Sequence, residues 1–246
     1  MRTIFAVLHI SLFFIVFFPV CLLLLLLRKF NRRLASKISQ SIVRGAFRFA
    51  MWPGGMRRIV VGTENVPKDT PVLYAANHRG LLDAAIGYIA VPNLTGFVAK
   101  KEIKKVPFLN LWMLNVNCLF LDRSDIRAGM KTILTCVDYI NDGYSIFIAP
   151  EGTRSHEKDP LPFKDGSLKP AQKTGCPIIP VAITGTDDLF ENHIPWLRRT
   201  KCVIEFGKPI YLNELDPEVQ KHPGAYIREK VIEMLAGHEA LRQMGK

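Results

Sequence analysis

Three short polar clusters hold the residue types that could do acid–base and anion chemistry, and each follows an apolar run. "NHRGLLD", residues 77–83, comes directly after "VLYAA" and sets His78 five residues before Asp83. An imidazole held by a carboxylate can accept a proton near neutral pH, its tautomer fixed and its charged form stabilised. "FLDR", residues 120–123, closes another apolar run with Arg123, and "PEGTRS", residues 150–155, follows "SIFIA" with Glu151, Gly152, Thr153 and Arg154. A guanidinium grips phosphate or carboxylate bidentately, and a glycine beside it lets backbone approach a ligand closely.

Five residues along a straight helix turn the chain by about 500°, leaving His78 and Asp83 roughly 140° apart and unable to pair. If "VLYAA" is a strand and a helix begins near Leu81, the geometry changes. His78 then sits in the strand-to-helix turn, eased by Gly80, and Asp83 in the first helical turn can reach back to one ring nitrogen. The other nitrogen faces the crevice at the strand's carboxyl end, where α/β sheets bind ligands. The plainer reading is a loop histidine and an aspartate favoured by the helix dipole. Repetition favours a site, because Arg123, Arg154 and a further buried run, "PIIPVAITGT", also fall at ends of apolar segments.

The elements needed to place these clusters are visible in the hydropathy pattern. Apolar runs occur at "IVVG", "VLYAA", "GFVA", "CLFL", "SIFIA", "PIIPVAI" and "CVIEFG", with helical stretches at 82–91, 125–141 and 166–175 and a helical tail over 215–243. The runs are continuous rather than alternating, which predicts a sheet covered on both faces. The fold class expected is therefore α/β, a central, mostly parallel sheet flanked by helices, over residues 59–246.

Ahead of it lies a different kind of sequence. Ile4 to Leu27 is uncharged, and as one helix it would reach roughly 36 Å, enough for a hydrocarbon core of about 30 Å. Pro19 predicts a kink. The run ends in "RKFNRR" rather than in a small-residue cleavage site, which argues for a retained membrane anchor over residues 1–33. Arg28, Lys29, Arg32 and Arg33 outweigh Arg2, so the downstream domain is expected on the cytoplasmic side. A bent helix lying in one leaflet is the competing form. Residues 34–58 space apolar positions three and four apart among basic ones, predicting an amphipathic helix, either at the membrane interface or packed on the domain.

The formal charge of +11 favours anionic partners. Nucleic acid is not expected, since the basic residues are not interleaved with aromatics. Cys21, Cys118, Cys136, Cys176 and Cys202 are scattered singly in apolar surroundings, which predicts buried free thiols and a reducing compartment. No metal site is expected: "HEKDP" at 156–160 is not a zinc motif, and no Cys/His cluster has ligand spacing. His9, His156, His193, His222 and His238 are read as structural or exposed.

In their order along the chain, "NHRGLLD", "FLDR", "PEGTRS" and "PIIPV" resemble the four motifs of the glycerolipid acyltransferase family. The H-x-x-x-x-D spacing and the E-G-T-R core are intact, and "PFKDGSLKPAQKTG" resembles the segment joining the last two motifs. Leu121 stands where isoleucine is common.

The resemblance implies transfer of an acyl group from an acyl thioester, on coenzyme A or acyl carrier protein, to the hydroxyl of lysophosphatidic acid in a bilayer. His78, oriented by Asp83, would be the general base. Arg123 and Arg154, with Glu151, Gly152 and Thr153 shaping the pocket, would hold the acceptor's phosphate. A thiolate leaves readily, so no acyl-enzyme is needed, and no G-x-S-x-G motif occurs. Lys100, Lys101, Lys104 and Lys105 are candidates for oxyanion contacts or for contacts with anionic headgroups. No cofactor is implied. Another lysophospholipid or a hydroxylated aminolipid as acceptor, and hydrolysis by the same His/Asp pair, remain alternative readings.

Overall fold

The computed structural model describes residues 1–155, 157 and 159–244. Its helices are α1 (Arg2–Val16), α2 (Phe18–Phe30), α3 (Arg32–Gly54), α4 (Asp83–Ala90), α5 (Leu109–Asn115), α6 (Ile126–Asn141), α7 (Lys169–Thr174), α8 (Thr186–Leu189), α9 (Pro217–Lys221) and α10 (Pro223–Met244). The seven apolar runs form strands β1 (Met56–Val61), β2 (Leu73–Ala76), β3 (Thr95–Lys100), β4 (Leu119–Leu121), β5 (Ser145–Ile148), β6 (Ile178–Thr184) and β7 (Thr200–Phe206). They make one sheet in the order β1-β7-β6-β2-β5-β3-β4. Every pairing is parallel except β6 with β7.

Why the strands read as continuous apolar runs is plain from what each face meets. Tyr74 and Ala76 of β2 enter a core with Ile86 and Ile89 of α4 and with Ala50 and Met51 of α3. Their neighbours Leu73 and Ala75 enter the opposite core with Ile133, Cys136 and Ile140 of α6, Ala171 of α7, and Ile227 and Val231 of α10. A strand buried on both sides has no polar face to alternate with. All five cysteines are free and buried.

The N-terminal run departs from the single anchoring helix expected of it. It forms a bent pair, α1 and α2, broken at Phe17 by 53°. Pro19 explains the break, since its ring clashes with the carbonyl four residues back and it has no N–H to donate. No single helix among the described residues is long and apolar enough to cross a membrane, although the bent pair passes that test by length and composition. Both ends of the pair are fastened to the sheet domain. The Leu197 N–H donates to Thr3 Oγ1 at 2.7 Å, Arg28 Nη1 donates to Asn117 Oδ1 at 2.8 Å, and Asn115 Nδ2 donates to the Cys21 carbonyl at 3.1 Å. Arg28, part of the basic stretch after the apolar run, thus ties down the end of α2, and Arg32 at the start of α3 reaches Asp142 at 3.1 Å.

Helix α3 starts two residues earlier than expected because Asn31 Oδ1 caps it by accepting the Leu34 N–H. One face packs on the domain, where Gln40 bonds the Asn93 carbonyl and the Thr95 N–H. Ile38, Phe49 and Trp52 point outward, Trp52 82% exposed, continuing the exposed apolar surface of Phe5, Leu8, Leu12 and Leu23.

Immediately after β2, the buried Asn77 stitches two strands together. Its Nδ2 donates to the Ile183 carbonyl at 2.9 Å and its Oδ1 accepts the Ile183 N–H at 2.7 Å. Asn77→Ala strands both backbone groups away from water, at about 1–3 kcal/mol each. Denaturant unfolding is expected to show a lowered midpoint with an unchanged slope; an unaltered midpoint would remove the stitch from the stability account.

Candidate active site

Parallel strands deliver their carboxyl ends to one edge of the sheet, so the polar clusters after β2, β4 and β5 emerge side by side. At the end of β2 the chain turns through His78, Arg79 and Gly80 into α4, whose first residue is Asp83. Asp83 Oδ2 reaches back over that turn to His78 Nδ1 at 2.8 Å, and also accepts the N–H groups of Arg79 at 2.7 Å and Gly80 at 2.9 Å. Its Oδ1 accepts from the Thr186 hydroxyl at the start of α8. Because an ionised carboxylate only accepts, Nδ1 carries the proton, and Nε2 presents a lone pair. The Asp83 side chain is almost fully buried while the imidazole is partly exposed, and among the described residues nothing hydrogen-bonds Nε2.

The cluster after β5 holds the histidine's backbone from the other side. Glu151 Oε1 accepts the His78 N–H at 2.6 Å and Oε2 accepts the Leu161 N–H at 2.7 Å, while the Ser155 N–H donates to the His78 carbonyl at 2.8 Å. Glu151 is only 3% exposed. Burial pushes its carboxyl above the ordinary range, and the Leu161 and His78 N–H groups pull it back down. Its oxygens are thus committed to backbone, so it shapes the site by fixing His78. Gly152 has φ +76°, a left-handed conformation, and a side chain there would meet Lys164 Nζ at 2.8 Å. Thr153 and Arg154 are exposed beyond it.

Arg154 Nη1 lies 4.0 Å from Glu191 Oε1. Arg123, exposed at the end of "FLDR", is lowered from its ordinary value by partial desolvation; Glu102 opposes that shift and the Arg154 charge adds to it. The two guanidiniums are therefore within electrostatic reach of each other, an arrangement that an anion between them relieves.

The lysines divide. Lys101 donates to Asp122 Oδ2 at 2.7 Å and to Ser124 Oγ at 3.0 Å, which fixes the "FLDR" turn and holds the Asp122 carboxyl far below the usual carboxylate range. Lys100 lies 3.6 Å from Glu102. Lys104 and Lys105 are exposed in a 3-10 turn, next to exposed Val106 and Phe108. The other histidines behave as structural or surface residues: His238 is buried between Thr184 and Glu205, and His222 is exposed beside Asp165. His156 and the "HEKDP" segment it opens include residues outside those described. Among the described residues no cluster of His, Cys, Asp or Glu could hold a metal.

Two supports were not legible beforehand. Arg79 donates to Asp187 Oδ2 through Nη2 at 2.6 Å and Nε at 3.1 Å, tying the His78 turn to α8. Glu191, its side chain 5% exposed, accepts the Leu81 N–H, and its carboxyl is raised by burial. Its carboxylate fills the space a side chain on Gly80 would need. The one signal for either was the acidic stretch "TDDLFEN" after β6.

The chain is similar to known proteins in sequence and in fold. The 1-acyl-sn-glycerol-3-phosphate acyltransferase of Borreliella burgdorferi is 28% identical over 199 residues, covering 81% of this chain and 80% of that one. The corresponding Saccharomyces cerevisiae enzyme is 32% identical over 180 residues, and the match spans 72% of this chain but only 59% of the yeast protein. Among solved structures, the crystal structure of the 1-acyl-sn-glycerophosphate (LPA) acyltransferase PlsC from Thermotoga maritima superposes with a TM-score of 0.73 at 28% identity, covering 98% of both chains. Residues 57–184, just over half of the chain and spanning all three polar clusters, match the acyltransferase family model, and the chain belongs to that family.

Proposed function

We propose that this acyltransferase moves a fatty acyl group from an acyl thioester to the free hydroxyl of lysophosphatidic acid, giving phosphatidic acid. The observation that carries the reading is the His78–Asp83 bond inside a turn braced on both sides, which leaves Nε2 open at the carboxyl edge of the sheet. Nε2 takes the proton as the acceptor hydroxyl attacks the thioester carbonyl. A C–O bond forms, the C–S bond breaks, and the thiolate leaves with the proton returned to it. Asp83 stabilises the imidazolium in between. Arg123 and Arg154 hold the acceptor's phosphate, which sets its hydroxyl against the base. The 1-acyl-sn-glycerol-3-phosphate acyltransferases among the relatives support this acceptor.

On this reading the protein docks on the cytoplasmic face of a membrane through the outward side of α1, α2 and α3. The bent pair lies in one leaflet rather than spanning, because both its ends are bonded to the domain. The basic residues of the 101–105 turn, with Val106 and Phe108, sit at headgroup level.

Three outcomes test the proposal. His78→Ala is expected to lower acyl transfer by about 10²–10⁴ with folding and vesicle binding retained; transfer that survives removes His78 from the chemistry. Arg154→Ala is expected to raise the KM for lysophosphatidic acid roughly 10- to 100-fold, the loss of a charge-assisted pair. A change in kcat alone contradicts a phosphate-holding role. Replacing exposed Leu8 and Leu23 with Asp should weaken vesicle flotation about tenfold or more while leaving the circular dichroism spectrum unchanged; undiminished flotation places the membrane contact elsewhere.

A further inference from the structure

The two faces of the sheet differ in a way that bears on the second substrate. On one face, α1, α2 and α3 expose a broad apolar surface. On the other, among the described residues of α6, α7, α9 and α10, the only exposed large hydrophobics are Met130 and Leu134, each 43% exposed. They lie on α6 at positions that share a face with Arg127 and Lys131, since residues three, four and seven apart stack along one side of a helix. Asp125 Oδ1 caps the helix by accepting the N–H groups of Arg127 and Ala128, which fixes how this face is presented.

Beside it, a recess of about 190 Å³ lies between α6 and the 164–169 segment, with Met130, Leu121, Lys164 and Lys169 in its wall. Two of its wall residues neighbour the motifs of the site. Leu121 directly precedes Asp122 and Arg123, and Lys164 Nζ sits over Gly152, next to Glu151 and Arg154. Among the described residues, none of the four cations Arg127, Lys131, Lys164 and Lys169 has an ion-pair partner.

We infer that this α6 face and its recess dock the acyl donor as a thioester on an acidic carrier protein, an inference that rests on the acyl-transfer reading. Unpaired cations around two apolar side chains, spread over roughly 10 Å of helix, complement an acidic amphipathic helix. A nucleotide carrier makes no use of exposed Met130 and Leu134, and no aromatic side chain lines the recess to stack a base. The recess admits the carrier's thioester arm towards Arg123 and Gly152. The acceptor arrives from the apolar face and the donor from the polar one, so neither route blocks the other.

The test uses full-length enzyme in detergent with lysophosphatidic acid, titrating palmitoyl-acyl carrier protein and palmitoyl-coenzyme A in parallel. R127E/K131E is expected to raise the KM for the protein-borne donor at least about tenfold while leaving kinetics with the coenzyme A donor within about twofold. M130S/L134S is expected to act in the same direction, and activity with the coenzyme A donor shows that both variants are folded. Equal losses with both donors, no loss with either, or a wild type that uses only the coenzyme A donor each overturn the docking surface while leaving the acyl-transfer reading intact. A wild type inactive with both donors removes that reading and the inference with it.

Discussion

The carboxylate of Asp83 is the constraint on which the site depends. It accepts from an imidazole, two consecutive backbone N–H groups and a hydroxyl, and it is almost fully buried. A buried charge survives only where its lone pairs are satisfied. These partners come from the turn after β2 and from the start of α8, so the carboxylate and the closed turn hold each other in place. The turn fixes the imidazole's tautomer and aim, and the helix N-terminus that begins at Asp83 adds its own favourable field. Had the carboxylate stood one residue earlier or later, it would lie on another side of α4, and the backbone N–H groups would lose their acceptor.

The same clustering explains the pairing of sheet and chemistry. The strand order places β2 beside β5, and β3 between β5 and β4, so motifs far apart in sequence share one edge. Asn77 locks β2 to β6, Glu151 locks the β2 turn to the loop after β5, and Lys101 locks the segment after β3 to the turn after β4. Each lock is a side chain bonding to backbone or to a charged neighbour across strands. The edge that carries the candidate site is thereby held by hydrogen bonds at its rim as well as by the two apolar cores beneath it.

Much of this was legible in the residues. The seven strands and the long α6 and α10 follow from apolar runs and helical periodicity, and the His78–Asp83 pairing follows from asking which local geometry could unite two residues five apart. What escaped has a common physical character. Glu151 sits in a recognisable motif, yet its bonds to the His78 and Leu161 N–H groups depend on β2 and β5 being neighbours. Glu191 and Arg79 act across more than a hundred residues, on contacts that only the fold creates. A kink was readable from Pro19, but the ties that hold the N-terminal run to the domain were not, because hydropathy counts apolar residues without weighing what Thr3, Cys21 and Arg28 bond to at the domain surface.

The buried glutamates carry a further lesson about how such a site is sustained. Burial raises the carboxyls of both Glu151 and Glu191, so each disfavours its charged form in the fold more than in the open chain. The sign follows: stability from these groups is complete below the unfolded glutamate range and declines as pH rises through their elevated values. At neutral pH both therefore stand as a cost to the fold. What offsets it is local, since Glu151 fixes the backbone of His78 and Glu191 fixes that of Leu81. What the burial of these two carboxyls returns is a turn that cannot relax, and that rigidity fixes the aim of the His78 imidazole.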